Sequence, residues 1–203
     1  MTATDHINYA ARRFPVWLIY VFGVLPVPWL LYLAQTGGLG REPIAALEHE
    51  LGEIALQLLI AGLFISPLRT YLGINLIKYR RAIGVLAFAY VALHLLVWLV
   101  LDVGILSQIW ADIVKRPYIT VGMFGFMLMV PLAVTSNNWS VRRLGPRWRM
   151  LHKLVYPAVM LATVHNIMVQ KVWETGPLIY FALLLVLLAL RLPKPRRKHA
   201  TPG

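Results

Sequence analysis

The sequence predicts an all-α integral membrane protein: a bundle of six transmembrane helices with both termini in the cytoplasm. Of its 203 residues, 59% are hydrophobic and 14% are charged, whereas about 25% of the residues of a soluble domain are charged. Six apolar runs approach or reach the roughly 20 residues that cross a bilayer as a helix. No run alternates apolar and polar residues with a period of two, which disfavours a transmembrane barrel.

The six predicted helices form a single domain, residues 1–203. The first run is longer than the core of a signal peptide and lacks a small-residue cleavage site, so we expect it to remain as a membrane anchor. The last run is short, but PLIYFALLLVLLALRL has no charge before Arg191 and is expected to be helical. The predicted helices cover approximately residues 15–35, 52–70, 82–102, 118–136, 151–170 and 177–192.

The distribution of Lys and Arg predicts which side of the membrane each loop faces. Of the 20 Lys and Arg residues, only Arg41, Lys115, Arg116 and Lys171 lie in the three loops on one side. The others lie in the N-terminal arm, in or beside the two opposite loops, and in the C-terminal tail. Cytoplasmic loops have the excess of Lys and Arg, so both termini are predicted to be cytoplasmic.

The net charge of +12 would suggest a nucleic-acid partner in a soluble protein. Here the basic residues cluster between apolar runs, so we interpret the charge as a topology signal and expect no nucleic acid. The basic tail KPRRKHATPG is expected to lie on anionic membrane lipid. The chain has no cysteine, which excludes disulfides, iron–sulfur clusters and covalent c-type haem attachment. Histidine is the strongest type of metal ligand that remains.

Two histidines are predicted at the same depth in the membrane. His94 follows Arg81 by thirteen residues, about 20 Å along a helix, and His165 follows Leu151 by fourteen residues, about 21 Å. Both predicted helices run outward from the cytoplasm. An imidazole from each of two helices is what axial ligation of a b-type haem requires, so His94 and His165 are the predicted iron ligands. The alternative is two buried histidines that bond backbone or hydroxyl groups.

His152 and His49 allow two interpretations each. His152 lies near the cytoplasmic edge, and thirteen residues of ideal helix turn it about 140° away from His165, although Pro157 can alter the winding. It is either a cofactor ligand or a polar residue at the membrane edge. His49 lies among acidic residues that could form a metal site with it, but its neighbours Glu48 and Glu50 cannot share its helical face. We therefore expect a solvated or partner-facing loop at His49.

A series of motifs in fixed order resembles a known family. EHELGE follows the first helix, SPLR closes the second, YRRAIG opens the third, RPYITVG opens the fourth, and LGPRWRMLHKLVY leads into the fifth. This order resembles the MsrQ (YedZ) family, within the ferric reductase-like transmembrane superfamily that includes the NADPH oxidases. The resemblance covers nearly the whole chain.

The resemblance implies a b-type cytochrome of the bacterial inner membrane, an electron-transfer subunit rather than the catalytic subunit. Its electrons would come from the quinone pool or a cytoplasmic flavin reductase. They would pass to a periplasmic molybdopterin subunit (MsrP-like), which reduces methionine sulfoxide in oxidised proteins. The implied cofactors are haem b, one or two per chain, and FMN.

One departure from the superfamily concerns the second haem. Relatives with two stacked haems have two histidines on the third helix and two on the fifth, the latter spaced as His152 and His165 are. Here the third helix has only His94, and Arg80 stands fourteen residues earlier. A haem on His152 would therefore lack an obvious second ligand.

The ends of the bundle have predicted roles in electron transfer. On the cytoplasmic side, the candidates to hold a flavin phosphate or a quinone head group are Arg142, Arg143, Arg147, Arg149 and His152. The acidic outer loops are candidates for facing the partner. Two alternatives remain: a small membrane transporter or metal- or proton-relay protein that uses the same histidines, and a quinol-oxidising cytochrome b subunit of another complex.

Overall fold

The computed structural model describes residues 2–170 and 174–192, and these residues form helices and turns without a β-strand. The basic tail 193–203 lies outside the described residues, so its predicted contact with lipid stays a prediction. The α-helices are α1 (Ala3–Arg13), α2 (Val16–Val24), α3 (Pro26–Thr36), α4 (Pro43–Leu72), α5 (Arg80–Val97), α6 (Leu106–Lys115), α7 (Pro117–Val134), α8 (Asn138–Leu144), α9 (Pro146–Leu151), α10 (Val155–Val169) and α11 (Thr175–Ala189).

Four helical segments are long and apolar enough to cross a membrane: Val16–Thr36, Pro43–Leu72, Ile77–Val103 and Pro117–Val134. They correspond to the first four predicted helices. The fifth and sixth predictions correspond to α10 and α11, of 15 residues each. The protein is therefore an all-helical membrane protein, and the count of six spans stays a prediction.

The segment Pro43–Leu72 is the centre of the bundle. Its helix α4 contributes four residues to a core that also includes residues of α5, α7, α10 and α11. A second core joins α4 to α3 and α5 through Leu30, Leu51 and Tyr90. The Tyr90 hydroxyl donates to the Gly23 carbonyl at 2.6 Å, which fixes the end of α2 against α5. In contrast, the faces of α2 and α3 that point away from α4 leave apolar side chains exposed, as lipid-facing helices do.

A proline within α4 is compensated by a residue at the far end of the chain. Pro67 has no N–H, so the carbonyl of Leu63 cannot receive the usual helical hydrogen bond. The guanidinium of Arg191, just beyond α11, donates through Nη2 to this carbonyl. Arg191 also lies over the ring of Tyr156 in α10, 5.3 Å from its centre. The Leu63 carbonyl that Pro67 leaves without a helical donor thus has a partner within the protein, as a membrane interior requires.

The bundle has two chemically distinct ends, which follow from the antiparallel course of α4 and α5. We call the acidic end the one where α4 begins and α5 stops; it includes Glu48, Glu53, Asp102 and Asp112. The basic end is the opposite one, where α5 begins and where α8 and α9 lie. At the acidic end α5 continues as a π-helical segment, Trp98–Val103, which ends at Gly104 with φ of 64°.

Candidate functional site

A cavity of about 250 Å³ lies between α4, α5, α7 and α10 and opens toward the acidic end. Its deeper part is lined by apolar side chains, including Leu59, Val91, Phe126 and Met129. Small residues also line it, so that a flat group could lie close to the helix backbones; they are Gly52, Ala55, Gly122, Gly125 and Ala162. The cavity is thus an apolar slot with a polar end.

His94 from α5 and His165 from α10 face each other in this cavity. Their ring centres are 6.2 Å apart, and the ring planes cross at 79°. An iron bound to one nitrogen of each ring would separate the centres by about 6 Å, because each metal–nitrogen bond is about 2 Å and each centre lies about 1 Å farther out. The prediction that these two histidines lie at one depth is confirmed, and their spacing fits bis-histidine ligation.

The hydrogen bonds of the two histidines define which nitrogen is available. The Nδ1 atom of His94 is 2.9 Å from the carbonyl oxygen of Glu48, and that of His165 is 2.7 Å from the carbonyl oxygen of Tyr118. A carbonyl oxygen only accepts, so each Nδ1 donates its proton. The lone pair of each neutral ring is therefore on Nε2, and the ring is oriented by its outer hydrogen bond, as in histidines that bind metals.

Two glycines allow the histidine rings to lie directly against neighbouring helices. A Cβ atom on Gly52 of α4 would lie 3.1 Å from Nδ1 of His94, and one on Gly122 of α7 would lie 2.9 Å from Nδ1 of His165. Each glycine is on the same helix as the carbonyl that accepts the hydrogen bond from the ring, one turn after that carbonyl. The site therefore has a matched construction: one histidine, one backbone acceptor and one glycine on each side.

The opening of the cavity is polar. Glu48, Glu53, Asp102, Asn166 and Arg116 line it, and the π-helical segment brings Asp102 there. The guanidinium Nε of Arg116 pairs with Asp112 at 3.3 Å, and its Nη1 donates to the Tyr118 hydroxyl at 3.2 Å. Among the described residues, the acids outnumber the cations at this opening.

His49 lies at the rim of the cavity rather than in a loop. We expected residues before 52 to precede the second helix, but α4 already begins at Pro43, because proline is favoured in the first turn of a helix. His49 is exposed and lines the opening. It is therefore available to solvent or to a partner, as expected, but from a helix.

His152 is in a different environment, in a short 3₁₀ turn, His152–Leu154, before α10. Its ring stacks on Trp148 with centres 3.9 Å apart, and its Nε2 is 3.1 Å from the Thr135 hydroxyl oxygen. That hydroxyl donates its only proton to the Pro131 carbonyl at 2.6 Å. Nε2 of His152 must therefore be the donor to Thr135, and it is not oriented as a free iron ligand.

The other predicted residues of the basic end lie away from the cavity. Arg147 and Arg149 are exposed on α9, and neither has a hydrogen bond or an ion pair to another described residue. Arg80 is exposed at the start of α5, near enough to His152 for their charges to interact. The structure brings His94 and His165 together and leaves His152, Arg147 and Arg149 at the basic end.

Sequence reasoning missed the groups that orient the two histidines. The acceptors are backbone carbonyls of Glu48 and Tyr118, which no residue type identifies. Gly52 and Gly122 did carry a signal, since they lie within the motifs EHELGE and RPYITVG. The contact of Gly122 with the imidazole of His165 depends on how α7 and α10 cross, which the sequence does not show.

The fold and the site define an all-helical membrane protein with a paired-histidine site that fits an iron porphyrin. Residues 49–163 match the family described as ferric reductase like transmembrane component. The chain is also 48% identical over 192 residues to proteins from Brucella ovis and Brucella melitensis that are named protein-methionine-sulfoxide reductase heme-binding subunit MsrQ. Each alignment covers 94% of this chain and 87% of the relative.

The chain belongs to the MsrQ family of the ferric reductase-like transmembrane proteins. A relative from Brucella abortus has the same identity and coverage. No solved structure matches the chain. The predicted family is confirmed.

Proposed function

We propose that this protein is a b-type cytochrome subunit that binds one haem b through His94 and His165. The observation that supports this most strongly is the pair of Nδ1–H···O=C hydrogen bonds, to Glu48 and Tyr118. They leave an Nε2 lone pair on each of two rings whose centres are 6.2 Å apart. The relatives' name, heme-binding subunit, supports the same cofactor.

The residues around the histidines suit an electron carrier. A haem supplies one-electron chemistry, and the protein sets its position and its potential. His94 and His165 would hold the iron from two helices, and the apolar lining with Phe126 and Met129 would keep water away from the porphyrin face. The two backbone hydrogen bonds increase the basicity of each imidazole, which would favour the oxidised form of a bound iron. His94 and His165 would complete the coordination of a porphyrin-bound iron, so that no further protein ligand would be needed.

We further propose a direction for electron transfer, from the basic end to the acidic end. Lys and Arg mark the cytoplasmic side, so six spans with cytoplasmic termini would place the basic end on the cytoplasmic side of the bacterial inner membrane and the acidic end on the periplasmic side. Electrons would enter from the quinone pool or a cytoplasmic flavin reductase. They would leave to a periplasmic molybdopterin reductase that repairs methionine sulfoxide. The relatives' name supports a methionine sulfoxide reductase partner.

The entry site would be on α9 and the turn that follows it. Arg147 and Arg149 are exposed and without ion pairs to described residues, so they are available to a flavin phosphate, such as that of FMN, or to a quinone head group. His152 would belong to this entry region and not to the haem site, because its Nε2 already donates a hydrogen bond to Thr135. In this proposal the protein carries electrons and the catalytic chemistry occurs on the partner.

A reoxidation experiment tests the proposal. The haem of the purified protein is reduced with a quinol, and a purified periplasmic molybdopterin methionine sulfoxide reductase is added with an oxidised peptide. We expect the reduced haem band to decay only when both enzyme and peptide are present. A haem band that stays reduced would overturn the proposed partner, and a protein without a haem band would overturn the cytochrome itself.

A haem-free control separates this function from the transporter alternative. The His94→Ala protein should pass no electrons from quinol to the partner, whereas a transporter would need neither the chromophore nor the partner. Among the described residues, no group of three or more His, Asp or Glu side chains is placed to hold a metal ion. The paired histidines therefore favour the porphyrin over a simple metal site.

A further inference from the structure

Helix α6 exposes a continuous apolar stripe to the surroundings of the protein. Leu106, Trp110 and Val114 are 81%, 70% and 68% exposed. Their spacing of four residues puts them on one face of the helix. Gln108 and Lys115 lie on the opposite face, also exposed. Such an arrangement is costly in water, where large exposed apolar patches are rare.

The position of α6 in the chain restricts what can cover this stripe. The helix begins three residues after the span Ile77–Val103 and ends two residues before the span Pro117–Val134. It therefore connects two membrane spans at the same end of the bundle and has no length of chain with which to leave the membrane surface. Helix α6 also packs on α7, where the Thr120 hydroxyl donates to the Ile113 carbonyl at 2.6 Å.

The composition of the stripe matches the boundary between lipid head groups and acyl chains. Trp110 is a residue type enriched at that boundary, and Leu106 and Val114 have no polar group. Amphipathic helices with one apolar and one polar face lie in the plane of a membrane at this depth. A face for a soluble protein partner would more often combine aromatic anchors with arginine or hydrogen-bonding groups.

We propose that α6 is an interfacial helix that inserts Leu106, Trp110 and Val114 into the lipid leaflet at the acidic end of the bundle. Its polar face, with Gln108 and Lys115, would face the head groups and water. This contact with lipid goes beyond the electron-transfer function proposed above and does not depend on it.

The lipid contact would also hold the opening of the haem cavity at a fixed depth. Asp112 on α6 pairs with Arg116, and Arg116 contacts the Tyr118 hydroxyl. The carbonyl of the same Tyr118 accepts the hydrogen bond from His165. A helix anchored in lipid thus adjoins the segment that orients one of the two iron ligands.

Site-directed spin labelling tests the proposal on the full chain in lipid vesicles. The chain has no cysteine, so each introduced cysteine is a unique labelling site. The test sites are Leu106→Cys, Trp110→Cys and Val114→Cys, and the matched controls on the same helix are Gln108→Cys and Lys115→Cys. Collision with oxygen, which concentrates in lipid, is compared with collision with a water-soluble nickel chelate.

We expect the three stripe positions to favour oxygen over the chelate by at least threefold relative to the two controls. If all five positions collide freely with the chelate, the stripe lies in water and a protein partner covers it in the cell, which overturns the proposal. If the stripe positions collide with neither reagent, the stripe packs on another protein chain, which also overturns it.

A second measurement needs no cysteine. Tryptophan fluorescence is compared between the unaltered protein and Trp110→Phe, in vesicles with and without lipid brominated near the head group. The difference between the two proteins gives the fluorescence of Trp110. We expect the brominated lipid to reduce this fluorescence by at least half. Unquenched fluorescence from Trp110 would contradict the lipid contact even if a labelled variant failed to fold.

Discussion

The imidazoles at the centre of the bundle and the imidazole at its basic end have opposite hydrogen-bonding patterns. His94 and His165 each donate from Nδ1 to a backbone carbonyl, which leaves Nε2 free. His152 donates from Nε2 to a threonine hydroxyl and stacks on Trp148. Three histidines in one apolar chain are thus distinguished by their partners, and only two of them are prepared to bind iron.

The comparison also separates two ways of holding a ring. The central pair is held by backbone atoms and by glycines on adjacent helices, so its orientation depends on the packing of α4, α5, α7 and α10. His152 is held by two side chains, those of Trp148 on α9 and of Thr135 at the end of α7. The orientation of the central pair therefore depends on how four helices pack, whereas that of His152 depends on how α7 ends beside α9.

The largest effect is expected from removing either central imidazole. His94→Ala and His165→Ala would each delete one of the two proposed iron ligands, so we expect the haem content per chain to fall at least tenfold. The measurement is the absorbance ratio of the haem band to protein after purification in detergent. Size-exclusion elution at the volume of the unaltered protein serves as the folding control, and retention of full haem by both variants would refute the assigned ligands.

A smaller effect is expected at the glycine beside His165. In Gly122→Ala the new Cβ would lie 2.9 Å from the ring, and relieving such overpacking costs about 1–3 kcal/mol. We expect a several-fold faster loss of haem to an apo-globin acceptor. The matched control is Gly84→Ala on α5, where a Cβ meets no atom within 4 Å; equal rates for the two variants would contradict the proposed contact.

Gly52→Ala should show the same defect in weaker form. Its Cβ would lie 3.1 Å from Nδ1 of His94, so the ring needs to move by only a few tenths of an ångström. We expect about a twofold faster loss of haem in the same assay, with the same Gly84→Ala control. A loss faster than that of Gly122→Ala would reverse the ranking that the distances predict.

The smallest effect on haem is expected at the basic end. Thr135→Val removes the acceptor for His152 and leaves its Nε2–H without a protein partner, which costs about 1–3 kcal/mol of stability. We expect a lower thermal midpoint in detergent and an unchanged haem spectrum and content. A changed haem spectrum in this variant would show that His152 interacts with the iron and would contradict its separation from the central pair.

The fold was largely predictable because membrane helices are specified by their composition. The runs at 15–35, 82–102 and 118–136 correspond closely to helical segments in the structure. The start of α4 at Pro43 was not predicted, since REPIAALEHE is too polar to be recognised as part of a span. Helix α6 was also missed, because its apolar residues are interspersed with polar ones and do not form an apolar run.

The central pair of the site was predictable, and its surroundings were not. Helix rise alone places His94 and His165 at one depth, because both helices begin at basic motifs. The orientation of each ring depends on carbonyls of Glu48 and Tyr118, which sequence does not distinguish from other carbonyls. For His152 the sequence left two interpretations open, and the bond to Thr135 could not be inferred because it depends on how α7 ends beside α9.

The most direct test of this account is the number of haems per chain, measured as the pyridine haemochrome of the purified protein and of His152→Ala. A single haem between His94 and His165 predicts a ratio near one in both proteins. A ratio near two that His152→Ala reduces to about one would contradict the account, because His152 would then bind a second iron.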